Sequence, residues 1–296
     1  MKFVLASARK TQQFITIFAN LKNFTDNVSL YFRANNIYIQ CLDDSHCCLF
    51  ECQLDQAWFK EYMYDPMTDH GCIGVNIAML NKVLNAWNDT QEMSIETNPD
   101  TDKVAIHYEK GNAATGHFNK YFELSLMTLE NNLMDVKIKD TLVDLTVDAK
   151  IFCALINQLT IFDNNLTFTF HEDNIECVSS GAEGSMKALI NIAEVKEYAI
   201  PESTILKQSY SLRYVQMMCQ FNKLATEMKM GFSEEMPMVM KYSLDEVKAS
   251  GAAGASGAGA SASAAVAENS DDEEDEEDTE SFVRIHLAPK IMDTEL

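Results

Sequence analysis

The sequence predicts an α+β protein built from two similar halves. Short stretches that alternate apolar and polar residues, the period of a half-buried strand, outnumber stretches with helical period. The order of these stretches in the first half also recurs in the second. The turn at Asn36-Ile37 matches Asn174-Ile175, 138 residues later, and Leu80 of one amphipathic helix matches Val215 of another, 135 residues later. Together these imply an internal duplication of about half the chain.

The elements follow in order. Phe3–Ala6 reads as a short strand. Lys10–Phe24 is helical, with Phe14, Ile17, Phe18 and Leu21 forming one stripe; Gln13, Thr16 and Asn20 face away and Lys22 stands at the flank. Val28–Arg33 alternates, Asn35-Asn36 is a hairpin-type turn, and Ile37–Cys41 returns. Leu42–His46 is a loop, Cys47–Leu54 a strand, and Trp58–Tyr64 a short amphipathic segment ended near Asp65-Pro66. Ile73–Glu96 is the clearest unit: strand end, helix, turn, strand. Asn76 is suited to cap the helix, because its side chain can accept a free backbone N–H. Ile77, Leu80, Leu84 and Trp87, with Val83 beside them, form its apolar face. The opposite face is Ala78, Lys82, Asn85 and Asp89. Lys103–Tyr108 and Gly116–Leu126 complete a sheet.

Met127–Lys139 is polar and irregular, as a connector between domains would be. The second half then repeats the first. Lys150–Phe162 is a helix with Ile151, Leu155, Leu159 and Phe162 on one side. Leu166–Phe170, a turn at His171–Asn174 and Ile175–Ser179 form a hairpin. Ser185–Ile192 is a strand, Val195–Ile200 a short segment ended by Pro201, and Ser211–Leu224 a helix with Leu212, Val215 and Cys219 inward. Met236–Ser243 is a strand. Ala249–Ala267 is almost wholly Gly, Ala and Ser, and an acidic run follows from Glu268 to Glu280. Such a composition buries too little apolar surface to offset its ordering entropy, so a disordered insertion is expected at about 246–281. Phe282–His286 resumes the fold, which makes the insertion a long loop between two strands. The domains are then 1–126, a connector at 127–140, and 141–296.

Composition bounds the function. A length of 296 residues with 47% hydrophobic content supports two domains with ample cores. The net charge of −22 argues against nucleic acid at first sight, but ten acids lie between Glu268 and Glu280 and leave −12 for the rest, so a local basic surface is open. The eight cysteines include the adjacent Cys47 and Cys48, and Cys41, Cys153 and Cys219 sit in apolar runs behind no secretory signal. They read as packing thiols of a reduced, intracellular protein. No stretch approaches the ~18 apolar residues of a membrane span. Asp43–Cys48 contains metal-ligand types without paired-ligand spacing. Gly71-Cys72-Ile73-Gly74 lacks the sequel of a phosphate loop, no nucleophile elbow occurs, and the six histidines are scattered singly. Neither an enzyme, a metal nor a cofactor is indicated.

Five motifs, in order along the chain, carry a resemblance: LDDSH (Leu42–His46), IGVNIAMLNKVL (Ile73–Leu84), SLRYVQ (Ser211–Gln216), MPMVMKY (Met236–Tyr242) and LAPKI (Leu287–Ile291). Together they resemble the proliferating cell nuclear antigen family of DNA sliding clamps, including its divergent viral and protist members. The resemblance implies a DNA-clamp fold of two similar domains, each with two inner helices and outer antiparallel sheets. Three identical chains would close head to tail into a ring around duplex DNA. The ring would act as a DNA polymerase processivity factor, recruit replication and repair proteins, and be opened by an ATP-driven clamp loader. Its setting would be the nucleus, or a cytoplasmic replication site for a virus.

The resemblance also implies three surfaces. Lys22, Lys82 and Arg213 would face DNA phosphates without reading sequence, with Lys150 and Lys223 as nearby candidates. Asn85, Asn157, Ile161 and Gln220 stand where relatives are often basic, which predicts a less positive lining. A partner peptide bearing a glutamine, an aliphatic residue and two aromatics would enter a pocket made by Leu42, Cys47, Leu49, Met134, Val136, Pro237, His286, Leu287, Ala288 and Pro289. There His286 replaces a common aromatic, and the connector lacks its usual proline. Subunits would join at Gly116–Glu123 and Ser185–Ile192, through Phe118, Phe122, Met186 and Leu189. Two further readings stand beside this one: a diverged subunit of a heterotrimeric, checkpoint-type clamp, and an acidic histone chaperone. Lysine-bearing paired helices and the LAPKI ending fit the chaperone poorly.

Overall fold

The computed structural model describes every residue except 67–70, 98–100, 111–117, 131–132, 137–139, 235, 246–279 and 291–296. The start of the expected strand Gly116–Leu126, parts of the connector, nearly all of the insertion with its acidic run, and Ile291 therefore lie outside the described residues.

The first half runs β1 (Lys2–Leu5), α1 (Ala8–Leu21), β2 (Asn27–Phe32), β3 (Asn36–Leu42), β4 (Cys48–Asp55), β5 (Glu61–Met63), β6 (Cys72–Asn76), α2 (Ile77–Leu84), β7 (Gln91–Thr97), β8 (Lys103–Lys110) and β9 (Lys120–Ser125). The second runs β10 (Val143–Asp148), α3 (Ala149–Leu159), β11 (Asn165–Phe170), β12 (Asn174–Gly181), β13 (Gly184–Asn191), β14 (Glu197–Ala199), β15 (Leu206–Ser211), α4 (Leu212–Cys219), β16 (Glu227–Phe232), β17 (Met238–Ser243) and β18 (Phe282–Leu287). Each element has its counterpart in the other half, and the fold is α+β.

Among the described residues the strands are antiparallel and form three sheets. One has the order β5-β1-β7-β8-β9, one β13-β12-β11-β15, and the third β14-β10-β16-β17-β18-β4-β3-β2-β6. The third is the first two patterns fused: β14 to β18 repeats β5 to β9, and β4 to β6 repeats β13 to β15. The fusion is the pairing of β18 with β4, from Phe282 opposite Gln53 to Leu287 opposite Cys48. Both strands are almost wholly buried. One apolar core runs through both halves. Phe221 packs across the halves against Phe50 and Phe24, with ring centroids 5.5 and 6.2 Å away.

Helix α2 follows the sequence reading closely. The Asn76 side chain accepts from the Met79 N–H at 3.0 Å, and Ile77, Leu80, Val83 and Leu84 are buried. Such a cap is worth about 1 kcal/mol. Helix α3 departs from the reading. Its buried face is Ala149, Phe152, Cys153, Ile156 and Leu159, while Ile151 is 73% exposed and Phe162 lies beyond the helix, also exposed. Gln13, expected to face solvent, is buried, and its amide donates to the carbonyls of Leu224 at 2.8 Å and Leu244 at 3.4 Å. It ties α1 to the other half of the chain.

The connector leaves β9 tightly. The Met127 N–H donates to the Gly74 carbonyl at 2.9 Å, and a Cβ on Gly74 would stand 2.3 Å from the Met127 carbonyl oxygen. Only glycine admits so close an approach. The second half repeats the contact, where the Lys290 N–H donates to the Ser209 carbonyl at 2.7 Å. At the insertion, the Leu244 N–H donates to the Ser281 carbonyl and the Ser281 N–H to the Asp245 carboxylate, both at 2.8 Å.

Candidate functional site

The four α-helices of the described residues form a continuous row, α2-α1-α4-α3, stitched by side-chain amides. Asn81 donates to the Phe18 carbonyl at 2.9 Å, joining α2 to α1. Asn20 donates to the Gln220 carbonyl at 2.9 Å and Asn23 to the Gln220 side chain at 2.6 Å, joining α1 to the end of α4. Gln216 donates to Asn157 at 3.0 Å, joining α4 to α3. Gln220 and Asn157 thus use their amides to hold helices together.

The charge on this row is segregated. The chain has 45 acidic residues, yet none lies in any of the four helices. The helices and their ends carry Arg9, Lys10, Lys22, Lys82, Lys150, Arg213 and Lys223. Lys10 donates to the Trp58 carbonyl and lies over its ring. Lys22, Lys82, Lys150, Arg213 and Lys223 are exposed and make no ion pair among the described residues. Six lysines in or next to the strands behave differently: Lys2, Lys60, Lys103, Lys187, Lys196 and Lys241 each pair with a glutamate. Arg9, missed in the sequence, joins Lys150 and Lys223 along a groove of about 950 Å³ whose lining also includes the amides Gln12, Asn20, Asn85, Gln220 and Asn222. Arg9 and Lys150 are each the second residue of their helix. Helices that hold no acid, with only the cap Asp148 at the start of α3, and that present Lys22, Lys82, Lys150, Arg213 and Lys223 attract polyanions without selecting sequence, and the sparseness of those cations limits the attraction.

On the sheet side a cavity of about 460 Å³ opens beneath the connector. Leu42, Cys47, Leu49, Met134, Val136, Pro237, His286 and Ala288 line it, all anticipated from the sequence. Leu287 does not: it is 1% exposed and faces the core, as the neighbour of an outward His286 in a strand must. Pro289 also lies outside the lining. His46, Asp135, Thr141, Ser233, Met236 and Val239 complete the wall. Their sequence signal was proximity to the lining motifs.

Two polar arrangements hold the cavity's shape. Asp43 builds the loop before β4. Its carboxylate accepts from the N–H groups of Ser45, Cys47 and Cys48 at 3.0, 2.8 and 2.6 Å and from the Tyr214 hydroxyl at 2.6 Å. Burial would raise its pKa, but these hydrogen bonds together hold it below the usual carboxylate range. Glu51 does the same for the opposite wall. It is 2% exposed and accepts from the Tyr38 hydroxyl at 2.6 Å and from Arg284 Nε at 3.0 Å, while His286 Nε2 lies 2.5 Å from its Oε2. Burial alone would raise its pKa; hydrogen bonds from His286 and Arg284, with the Arg284 charge, outweigh it and bring the value down to about 2. Glu51 is therefore ionised. Among the described residues no cluster of His, Cys, Asp or Glu is arranged to hold a metal, and no helix is long and apolar enough to cross a membrane.

The third feature is a pair of free sheet edges. Among the described residues, β9 and β13 each end a sheet with one side unpaired. Phe118 and Leu189 are 84% and 59% exposed beside these edges, while Phe122 and Met186 lean on the core.

Comparison with known proteins agrees with this architecture. Residues 6–134 match the sequence model of the proliferating cell nuclear antigen N-terminal domain. The chain is 22% identical to "Proliferating cell nuclear antigen 2" of Drosophila melanogaster over 72% of its length and 81% of the relative's. It is 21% identical to "Proliferating cell nuclear antigen" of Chaetomium thermophilum, over 76% of this chain and 86% of the other. With "Proliferating cell nuclear antigen 1" of Plasmodium falciparum, isolate 3D7, it shares 22% identity over 78% and 84%.

Proposed function

The chain is a member of the proliferating cell nuclear antigen family, and we propose that it is a DNA polymerase processivity factor: a homotrimeric ring that slides on duplex DNA and recruits replication and repair proteins. It performs no chemistry of its own in this reading. The partners would be DNA, a polymerase, other proteins bearing the peptide described above, and a loader that opens the ring. The nuclear setting in the relatives' name is proposed for this chain too.

One observation carries the ring. Inside the chain β18 pairs with β4, and the repeat makes β9 the counterpart of β18 and β13 the counterpart of β4. Both counterparts are unpaired edges. A β9–β13 joint between chains would repeat the internal one, so each boundary in a closed ring would be made in the same way. Transferring the internal register through the repeat sets Phe122 opposite Met186 and Tyr121 opposite Lys187. The half-buried residues of both strands then share one side, as a continued sheet requires. Exposed apolar edges are otherwise an aggregation hazard.

The helix row would face the DNA. Its lack of acids supports that orientation in a chain of net charge −22. With few cations, retention on DNA would depend on enclosure more than on attraction. The cavity beneath the connector would take the aromatic plug of the partner peptide.

The test is solution mass together with cross-linking. A mass near three times 33.3 kDa is expected. Cysteines introduced as Phe122→Cys and Met186→Cys should link neighbours into a covalent trimer. A monomer at micromolar concentration, with no cross-linking, would overturn the ring. A separate primer-extension assay on a long template, with and without the protein, tests the processivity role.

A further inference from the structure

His286 is the one ionisable side chain of β18 on the wall of the peptide cavity. Around it the lining is mostly apolar, including Leu42, Leu49, Val136, Pro237 and Val239. Its Nε2 faces Glu51 at 2.5 Å. Glu51 is ionised and has no proton to give, so the shared hydrogen belongs to His286. This fixes the ring. Nδ1 remains as its second polar atom, and it has no hydrogen-bond partner among the described residues. A plug made of phenyl rings alone would cover that atom and supply nothing to it. A phenol would supply either a hydrogen or a lone pair, so it suits the neutral and the protonated ring alike. The rest of the Glu51 cluster cannot turn to help, because Tyr38 and Arg284 are already bonded to the same carboxylate.

We propose that His286 makes this pocket selective for partner peptides whose aromatic plug carries a tyrosine, over those that insert phenylalanine alone. The inference rests on the reading of the cavity as a peptide pocket. The chemistry it adds belongs to this chain's own wall, where a histidine braced by a buried carboxylate presents a polar atom to an otherwise greasy plug. Leaving a buried polar atom unsatisfied is costly, whereas one neutral hydrogen bond contributes modestly, which together give a preference of about fivefold or more.

The experiment uses the full-length protein and four fluorescein-labelled peptides of the form Gln-x-x-Leu-x-x followed by Phe-Phe, Tyr-Phe, Phe-Tyr or Tyr-Tyr. Affinities are read by fluorescence anisotropy. At least one tyrosine-bearing peptide should bind about fivefold more tightly than Phe-Phe. The same comparison with His286→Phe, its folding checked by circular dichroism, should bring the four affinities together. Equal binding of all four to the unaltered protein overturns the selectivity while leaving the pocket intact. A tyrosine preference that survives in His286→Phe overturns the assignment to His286. If none of the four binds, the pocket reading itself fails, and the selectivity with it.

Discussion

Gln40 grips Met134 with both ends of its amide: Nε2 donates to the Met134 carbonyl at 3.0 Å and Oε1 accepts from the Met134 N–H at 2.7 Å. The same Nε2 reaches the Tyr38 hydroxyl at 3.0 Å, and Tyr38 is bonded to Glu51. The connector is thereby pinned to the polar cluster that braces the far wall of the cavity. Gln40→Ala should loosen Met134 and weaken peptide binding about fivefold or more, the scale of one or two lost hydrogen bonds. Gln40 is only partly buried, so the melting temperature should change little. Anisotropy and calorimetry on the same sample check both halves of this expectation.

Glu51 gives stability a pH dependence whose sign is fixed. Its folded pKa of about 2 lies below its ordinary value of 4.5. The stabilisation is therefore whole above pH 4.5 and is lost as pH falls towards 2. Between pH 5 and pH 3 this one group should remove about 2 kcal/mol. Glu51→Gln should cost about 3 kcal/mol at pH 7, because Arg284 is left buried without its counter-charge. It should then lose less than the unaltered protein on acidification. Urea melts at the three pH values measure the difference.

Charge on the helix row should set DNA affinity. Lys82→Glu with Arg213→Glu should lower duplex affinity and flatten its dependence on salt, with no preference among sequences. Asn85→Lys should act in the opposite direction, since among the described residues that exposed side chain is in no hydrogen bond that holds the helices together. Salt titrations with a circular duplex and a linear one separate attraction from enclosure. Unchanged salt slopes in all variants would remove these residues from the DNA surface.

Gln13 links the halves from inside. Gln13→Ala strands the Leu224 and Leu244 carbonyls and should cost about 1–2 kcal/mol. Because Gln13 sits away from the peptide cavity, peptide affinity should be unchanged. Denaturant unfolding and peptide titration on one preparation test the pair of outcomes.

How much of this was legible in the sequence varies with the range of the interaction. Helix α2 was readable because its cap and apolar face lie within a dozen residues. The repeat was readable for the same reason, element by element. Gln13 was not, since its two partners are 211 and 231 residues away. The face of α3 was misjudged because that helix carries two apolar stripes. Ile151 and Leu155 compete with Phe152 and Ile156, and only packing decides between them. Leu287 could have been excluded from the cavity by strand alternation alone, once His286 was assigned to it. The acid-free helices were also open to inspection. Total charge hid them, because −22 describes the chain and not the surface that meets a partner.

The bonds between Leu244, Asp245 and Ser281 close the β17–β18 hairpin before the chain departs into its long insertion. The framework is therefore finished at that point, whatever is threaded between the two strands. A change of length or composition there, or a whole module grafted in, should therefore leave the β18–β4 seam intact. A fluorescent domain inserted between Asp245 and Glu280 would label the assembly while leaving the helix row, the cavity and both free edges as they are.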